Sequence, residues 1–479
     1  LKGSVLTAVP LIYLQPKTNT LQGKTLAQTI EVEGGDSLPV GRPIAAADVG
    51  KIRSALPEGA QVKVQESFPL ATTAAGDLVG KTLAEAVEFA QPQTLAVGTQ
   101  INQLLAQQIV ASGQAEQPIA VLPLNPPYEL SEIELPVAAG QVQLCTNFGE
   151  FKRSFGDFST DDGQNTLAHA VYGFFRNGGT RCCVVRIAQA SATDVDAALE
   201  AFEAIDEIAI VAAPGFTDRV VLDKVDGHCQ SEDLRDRVAI FDSPETASLS
   251  DPTLVDQLKP FNSNYAALYF PWLQVFDPAT KIQNPQGDGL KYVPPSGHMA
   301  GIYARVDAQR GVHKAPANVS VVGAVGLRYP ISKRQQQSLN PVGVNCIRDL
   351  NGNIRVWGAR TLGGDDNGEF KYISVRRLFN FLRESIDEGT QWIVFEPNTP
   401  DLWAKITRNI NAFLTTVWSS GALFGNTPEE AFYVKCDAET NPPEVRDAGQ
   451  VITEIGVAVT KPAEFVIFRV RQWAGPGGS

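Results

Sequence analysis

Residues 180–215 read TRCCVVRIAQASATDVDAALEAFEAIDEIAIVAAPG, and this stretch decides the fold. Its two ends, TRCCVVRI at 180–187 and IAIVAAPG at 208–215, are apolar runs of a length and composition that are typical of buried strands. Between them lie four apolar residues at helical spacing: Val195, Leu199, Phe202 and Ile205. A strand, a helix and a second strand in this order predict a βαβ unit with parallel strands.

The segments on either side continue the same pattern. LAHAVYGFFRNGG at 167–179 places its apolar residues on one helical face and ends in two glycines. Beyond the βαβ unit, RVAIF at 237–241 and YAALYF at 265–270 read as further buried strands of one sheet. We therefore expect an α/β domain over residues 128–330.

The last third of the chain predicts a second domain, of α+β type, over residues 331–479. Asn351-Gly352 between extended segments is a strong hairpin signal. Helices are expected from about Ser374 and from Thr399-Pro400, where proline suits a first helical turn that has no use for its amide.

The end of this domain is predicted to be mostly strand. Residues 427–430, Thr-Pro-Glu-Glu, have the spacing of a capping box for a short helix. Three strand-like runs follow it, FYVKC, VITEIGVAV and EFVIFRV, and the last of them places a terminal strand at 464–470.

A duplication lies near the start of the chain. LQGKTLAQTIEVEGGDSLPVG at 21–41 recurs as LVGKTLAEAVEFAQPQTLAVG at 78–98, with ten of 21 positions identical. We expect two copies of one strand-rich module, at 21–69 and 78–126, which together form an insertion over residues 21–127. A proline-rich stretch at 123–127 closes the insertion as a connector would.

Residues 1–20 form an N-terminal segment ahead of this insertion. Met299 is the only methionine, so we expect that further residues precede Leu1 in the natural protein.

Composition excludes several classes of function. The net charge of −13 and the pI near 4.9 argue against a nucleic-acid binder, which needs clustered Lys and Arg. The chain has no run of 18 apolar residues, so no direct membrane insertion is expected. The six cysteines show neither a disulfide framework nor a CxxC pair, which fits a reducing compartment.

The sequence offers few candidates for chemistry, and each has a plainer structural interpretation. His228 and Cys229 are adjacent, but neighbours in a strand face opposite sides. The Cys182-Cys183 pair sits in an apolar strand, where free cysteine behaves as a small hydrophobe. GDLVGKT at 76–82 resembles a phosphate loop but has three residues between its glycines instead of four.

The acidic turn GGDDNGE at 363–369 lacks the ligand spacing of an EF-hand and is read as a structural turn. We therefore predict no catalytic residue, no cofactor and no metal site, and a chain that is not an enzyme.

Several longer motifs carry a family resemblance over roughly residues 145–473. They are GVHKAPAN at 311–318, LNPVGVNCIRDLNGNIRVWGARTL at 339–362, YISVRRLFNFLRESIDEGTQWIVFEPN at 372–398 and KPAEFVIFRVRQ at 461–472. FFRNGGTRCCVVRI at 174–187 and YAALYFPWLQVFDP at 265–278 add to them in the expected order. With these motifs the chain resembles the contractile tail sheath family of phages, R-type pyocins and extracellular contractile injection systems.

This resemblance implies a multidomain sheath subunit with an α/β core domain, a C-terminal α+β domain and a variable outer decoration, here the duplicated insertion. It implies a structural protein that polymerises into a helical, six-fold sheath around an inner tube and contracts to drive the tube through a target envelope. The implied partners are further copies of the chain, the inner tube protein, the baseplate and a sheath terminator. The implied location is the bacterial cytoplasm during assembly, as part of a phage tail or tail-like particle.

The resemblance also implies that strands at the chain ends are shared between neighbouring subunits. The candidate strand here comprises Phe465, Val466, Ile467, Phe468, Arg469 and Val470, although an ordinary core strand would show the same alternation. For the inner-tube contact we select Lys405 and Arg408, on the polar side of the helix at 401–419, which could equally be a solvated face.

Two alternative functions stay open at this point. One is a baseplate or sheath-terminating component of the same kind of particle, which would not polymerise alone. The other is an α/β enzyme, which would need a cleft with convergent titratable groups.

Overall fold

The computed structural model describes residues 137–465, except 138, 160–161, 188–190, 233 and 252. Before residue 137 it describes the strands and the helix whose ranges are given below, and also residues 48, 51 and 101. It divides into two compact units. We call Pro16–Pro136 the insertion unit, and Leu1–Gln15 together with Val137–Ser479 the main unit.

The strands, numbered in chain order, are β1 (Leu11–Leu14), β2 (Thr25–Leu26), β3 (Ile30–Glu31), β4 (Ser37–Leu38), β5 (Gln61–Gln65), β6 (Phe68–Leu70), β7 (Thr82–Leu83), β8 (Val87–Glu88), β9 (Thr94–Leu95), β10 (Ile119–Leu122), β11 (Tyr128–Ser131), β12 (Val142–Cys145), β13 (Cys182–Ile187), β14 (Ile210–Ala212), β15 (Val238–Asp242), β16 (Ala266–Phe270), β17 (Leu273–Phe276), β18 (Leu290–Val293), β19 (Val319–Ser320), β20 (Ala324–Leu327), β21 (Val344–Leu350), β22 (Asn353–Val356), β23 (Phe432–Lys435) and β24 (Glu454–Val457).

The helices are α1 (Gln103–Ala111), α2 (Phe148–Phe155), α3 (Asp162–Arg176), α4 (Ala192–Glu203), α5 (Arg219–Gln230), α6 (Leu254–Leu258), α7 (Pro278–Gln283), α8 (Ser296–Arg310), α9 (Lys333–Leu339), α10 (Ile373–Thr390), α11 (Pro400–Ser419), α12 (Pro428–Ala431) and α13 (Pro443–Asp447). Short 3₁₀ turns lie at Asn340–Val342, Gly364–Phe370 and Gln391–Ile393.

The core of the main unit is a nine-stranded sheet in the order β12-β13-β1-β14-β15-β16-β21-β22-β19. From β13 to β21 the strands are parallel, and β12, β22 and β19 are joined antiparallel at the edges. Along β13 alternate residues enter two separate cores: Val184 lies in one, and Cys183 and Val185 lie in the other. Both faces of the sheet are therefore covered, which is why its parallel strands read as continuous apolar runs.

The predicted α/β fold is confirmed, since β13, α4 and β14 form the expected strand, helix and strand. One detail differs: β1 occupies the place between β13 and β14, with Leu11 opposite Val184 on one side and Ala212 on the other. A strand from far upstream thus fills a gap that the crossover leaves open.

The hairpin predicted at Asn351-Gly352 joins β21 to β22, and both turn residues have the positive φ that its turn type requires. Because β21 pairs with β16, this hairpin belongs to the large sheet. The sheet therefore extends past residue 330, where the sequence analysis ended the α/β domain. A hairpin signal fixes a local turn but does not say which sheet the hairpin joins.

Helices α3 and α8 cross at very short range against this sheet. A Cβ on Gly297 would lie 2.4 Å from the carbonyl oxygen of Ala170, and one on Gly301 would lie 2.3 Å from that of Phe174. Since the neighbouring atoms are backbone, neither helix can yield locally.

Gly301→Ala is expected to lower the free energy of unfolding by about 1–3 kcal/mol, because it overpacks this crossing. Gly227→Ala is the matched control, since Gly227 lies on helix α5 with no neighbour within 4 Å of the added methyl group. That control should gain about 0.5–1 kcal/mol in stability. Urea unfolding of both variants measures the difference, and equal stability of the two would contradict the steric argument.

The C-terminal part of the main unit packs α10, α11 and the β23–β24 hairpin around a core of its own. Helix α11 begins at Pro400 after the cap Thr399, as predicted, and buries one face. The short helix α12 is also present, but the predicted capping box does not form, because the Thr427 side chain makes no cap hydrogen bond. Instead the Glu430 carboxylate accepts a hydrogen bond of 2.8 Å from the backbone of Asn426.

Helix α10 joins this region to the large sheet through its arginines. Arg377 donates to both carboxylate oxygens of Asp307 on α8, at 2.9 and 2.5 Å, with both side chains almost fully buried. Arg376 lies over the rings of Phe370 and Tyr265 and donates to the Asn264 backbone. Two buried arginines, each hydrogen-bonded and packed on aromatic rings, thus connect the two parts of the main unit.

The insertion unit repeats its structure as well as its sequence. The strand pairs β3–β4 and β8–β9 have equivalent registers, with Ile30 opposite Leu38 in one and Val87 opposite Leu95 in the other. Likewise β5 pairs with β2, and β10 pairs with β7. The third strand of each sheet comes from elsewhere: β6 pairs with β10 of the second copy, whereas β11, which follows the second copy, pairs with β5 of the first.

Candidate assembly surface

Helix α11 separates its apolar residues from its basic ones. Leu402, Ile406 and Ile410 are buried against the C-terminal core, whereas Lys405 and Arg408 are exposed. The structure therefore presents both predicted tube-contact residues on the outer side of one helix, as their spacing suggests.

The β23–β24 hairpin is a second exposed feature of this region. Within the part of the chain that the structure describes, its sheet contains these two strands alone. Tyr433 on β23 is 59% exposed, and Phe424 nearby is 72% exposed. Two short strands with free edges and exposed aromatic residues offer hydrogen-bonding groups to a further strand.

The segment after β24 leads to the predicted terminal strand. Thr460 still pairs with the backbone of Ala422, and Phe465, the first residue of the predicted shared strand, is 69% exposed. Val466, Ile467, Phe468, Arg469 and Val470 lie outside the described residues.

Glu464 is the best-anchored residue of this segment. Its carboxylate accepts hydrogen bonds from Arg360 Nε and Nη2, both at 2.8 Å. It also accepts from Asn340 Nδ2 at 2.6 Å and from the Tyr372 hydroxyl at 3.0 Å. We call these four residues, Asn340, Arg360, Tyr372 and Glu464, the Glu464 clamp.

The electrostatics of the clamp follow from this geometry. Partial burial raises the pKa of Glu464, but hydrogen bonds from Arg360 and Asn340 outweigh burial and hold that pKa below its usual value. Burial and the neighbouring carboxylate raise the pKa of Tyr372 to about 12. At neutral pH Glu464 and Arg360 are therefore both charged, and Tyr372 is neutral.

A groove of about 940 Å³ adjoins the clamp. Trp357, Ala359 and Pro462 give it apolar walls, and four cationic side chains and a histidine also line it. These are Arg310, Lys314, Lys333, Arg348 and His313. The family motifs at 311–318 and 339–362 both contribute to this groove, but nothing in their spacing indicates that they meet.

An apolar loop between α10 and α11 is exposed as well. Trp392, Val394 and Phe395 are 43%, 64% and 102% exposed, and Phe395 has a φ of 67°. A bulky residue in the left-handed region is uncommon. The loop belongs to the family motif at 372–398, but nothing in its sequence indicates that its apolar side chains are exposed.

The histidine and cysteine residues that the sequence offered as candidates for chemistry are buried in the core of the main unit. His228 and Cys229 lie on helix α5, not in a strand as predicted; both are buried, and His228 Nε2 is 3.2 Å from the Arg237 guanidinium. Burial lowers the pKa of His228 to about 4. Cys182 and Cys183 lie in β13 on opposite faces, both free and buried.

The acidic turn at 363–369 forms a 3₁₀ turn in which Asp365 contacts Arg360 and Lys371.

Among the described residues, no three His, Cys, Asp or Glu side chains are grouped so that they could hold a metal ion. Of the phosphate-loop-like run, only Thr82 lies within the described residues. No described helix is both long enough and apolar enough to cross a membrane.

Two protein-family models match the chain. The central domain of the phage tail sheath protein matches residues 188–362, and the phage tail sheath C-terminal domain matches residues 365–472. Together they cover more than half of the chain. Their division falls directly after the large sheet, between β22 and the 3₁₀ turn that precedes α10.

Curated proteins that are similar in sequence to this chain are also tail sheath proteins. A prophage major tail sheath protein of Pseudomonas aeruginosa is 27% identical over 55% of this chain and 65% of its own length. The tail sheath protein of Burkholderia phage BcepMu is 26% identical over 42% of each chain. The chain thus spans about two thirds of the first relative and less than half of the second.

Solved structures match more completely. A chain of the PVC sheath complex, an extracellular contractile injection system in the contracted state, is 30% identical, with a TM-score of 0.61 over 72% of this chain and 90% of that one. A chain of the anti-feeding prophage helical sheath in the contracted state is 28% identical, with a TM-score of 0.59 over 70% and 90%. A chain of the anti-feeding prophage baseplate structure matches similarly, at 29% identity and a TM-score of 0.59 over 70% and 89%.

Proposed function

This chain belongs to the phage tail sheath protein family, and on that premise we propose that it is a structural subunit of a contractile sheath, which polymerises helically around an inner tube and contracts to drive the tube through a target envelope. The observation that carries the proposal is the match to the contracted PVC sheath over 90% of that chain. A role in assembly, not catalysis, accounts for the exposed strands and helix of the C-terminal region.

The expected partners are further copies of the chain in a six-fold lattice, an inner tube protein, a baseplate and a sheath terminator. The particle would be a phage tail or tail-like particle that is assembled in the bacterial cytoplasm. Within it, residues 465–470 would add a strand to a neighbouring subunit, and the free edges of the β23–β24 hairpin support this mode of contact.

Contraction needs a source of free energy within the subunits themselves. Two packings of the same subunits that differ by a few kcal/mol each would suffice, because a lattice sums the difference over many copies. The extended sheath would then be a metastable state. The insertion unit would decorate the outside of the tube.

For the contact with the inner tube we propose Lys405 and Arg408, which are exposed side by side on α11. Replacing both by glutamate should weaken sheath loading on tubes more than about tenfold, because like charges across an interface cost several kcal/mol. Arg219→Glu with Lys224→Glu makes the same change in charge on the exposed face of α5 and serves as the control. Cosedimentation with tubes measures loading, and equal loading of the two double variants would remove this contact.

Electron microscopy of the purified chain, concentrated alone and with its inner tube protein, tests the proposed function. Hollow, ridged helical tubes are the expected result. Dispersed monomers under both conditions would contradict a polymerising sheath and favour the baseplate or terminator role instead.

A further inference from the structure

The C-terminal segment has one strong point of attachment just before the strand that is proposed to leave the subunit. In the described part of the chain, the hydrogen bonds of residues 461–465 are those of the Glu464 side chain. The preceding attachment is at Thr460, and Phe465 is already 69% exposed. The Glu464 carboxylate is therefore the side-chain group that holds the chain in place directly before the terminal strand.

The partners of Glu464 come from three separate elements. Asn340 begins the 3₁₀ turn after α9, Arg360 follows β22, and Tyr372 caps α10. Arg360 and Asn340 lie in the region that matches the central sheath domain, whereas Tyr372 and Glu464 lie in the region that matches the C-terminal one. Through the clamp, the segment that contains Glu464 is thus bound to the central sheath domain of its own subunit.

The receiving side of the clamp is held in place without Glu464. Arg360 Nη1 donates to the Asn340 carbonyl at 3.1 Å and to Asp365 at 3.0 Å. The Arg360 backbone is bound on both sides by the Asn345 side chain, at 2.7 and 2.8 Å. Because these contacts remain when Glu464 is lost, the arginine is a preformed receptor and does not depend on the carboxylate for its position.

We propose that Asn340, Arg360 and Tyr372 form a receptor for the Glu464 carboxylate that fixes the exit point of the terminal strand, and that assembly of the sheath depends on its occupancy. The proposal rests on the proposed function. Physically, the clamp places a rigid anchor directly before the shared strand, which begins at Phe465. Without it the nearest anchor is Thr460, so a neighbour must capture a longer, freer segment at a greater cost in conformational entropy.

Glu464→Gln is the decisive variant, because it keeps the size of the side chain and removes the charge that Arg360 binds. Glu444→Gln is the matched control, since Glu444 is exposed on α13 and belongs to the same domain. Three readouts are needed: the thermal unfolding temperature of the monomer, NMR backbone order parameters of residues 463–465, and tube formation by electron microscopy.

For Glu464→Gln we expect an unfolding temperature near that of Glu444→Gln, backbone order parameters at 463–465 that fall from about 0.85 to below about 0.6, and at least about tenfold more protein needed to form tubes. Unchanged order parameters would overturn the receptor, and lower order parameters with normal tubes would overturn its link to assembly. If Glu464→Gln does not fold, Tyr372→Phe decides by the same criteria, because it removes one donor and leaves the arginine in place.

The order parameters are measured on monomers, so they judge the receptor even if the wild-type chain forms no tubes. In that case the proposed sheath function and the link to assembly fail together, while the clamp itself is tested separately.

Discussion

Replacing Arg377 by methionine is expected to lower the free energy of unfolding by about 3–5 kcal/mol, because it leaves the Asp307 carboxylate buried without its cation. Both side chains are almost fully buried, at 4% and 0% exposure, and the pair is joined by two hydrogen bonds. Arg377 also lies 4.9 Å from the centre of the Tyr303 ring. Water therefore cannot solvate the carboxylate that remains.

The matched control breaks an ion pair of similar length at the surface. Lys224 Nζ lies 2.9 Å from Asp196, and the two side chains are 43% and 49% exposed. Lys224→Gln should cost less than about 1 kcal/mol, since water replaces the lost partner. Urea unfolding followed by tryptophan fluorescence measures both variants. A loss for Arg377→Met no larger than that of the control would show that the buried pair is not what holds α10 to α8.

Ending the chain after Phe465 is expected to abolish tube formation while leaving a folded monomer. The truncation removes residues 466–470 of the proposed shared strand but keeps Glu464 and its four hydrogen bonds. The backbone hydrogen bonds that a shared strand makes with a neighbour would all be lost, and side chains elsewhere cannot replace them.

A shorter truncation provides the comparison. Removing residues 474–479, AGPGGS, leaves the proposed strand intact and should leave tubes unchanged. Circular dichroism checks the fold of both proteins, and electron microscopy counts the tubes. Normal tubes from the chain that ends at Phe465 would show that this strand is not shared between subunits.

The sequence predicts the elements of this protein well where the signal is local. The apolar runs at 180–187 and 237–241 are strands because both faces of the sheet are covered, and the glycines after residue 176 end their helix as expected. The prediction of a strand at His228 and Cys229 is wrong, because a short run of mixed residues shows no clear period; the local signal for a helix is Asp218, whose side chain caps α5.

What local patterns could not supply is the pairing of distant segments. Nothing in residues 11–14 indicates that they fill the space between β13 and β14. Arg360 and Glu464 both lie in motifs that carry the family resemblance, but they are 104 residues apart, and spacing does not say that one binds the other. The roles of residues 405, 408 and 465–470 in assembly remain predictions, since contacts between subunits are properties of the assembled sheath.

The exchange of strands in the insertion unit restricts how this part of the protein can change during evolution. Because β6 ends the first copy but pairs with β10 of the second, excising the first copy together with β6 would remove a strand from the copy that is left, whereas β11 lies after both copies and would stay. A gene that lost the first repeat would encode a second copy with an exposed sheet edge, which is prone to aggregation. The first copy should therefore be lost or transferred between sheath genes only together with the second.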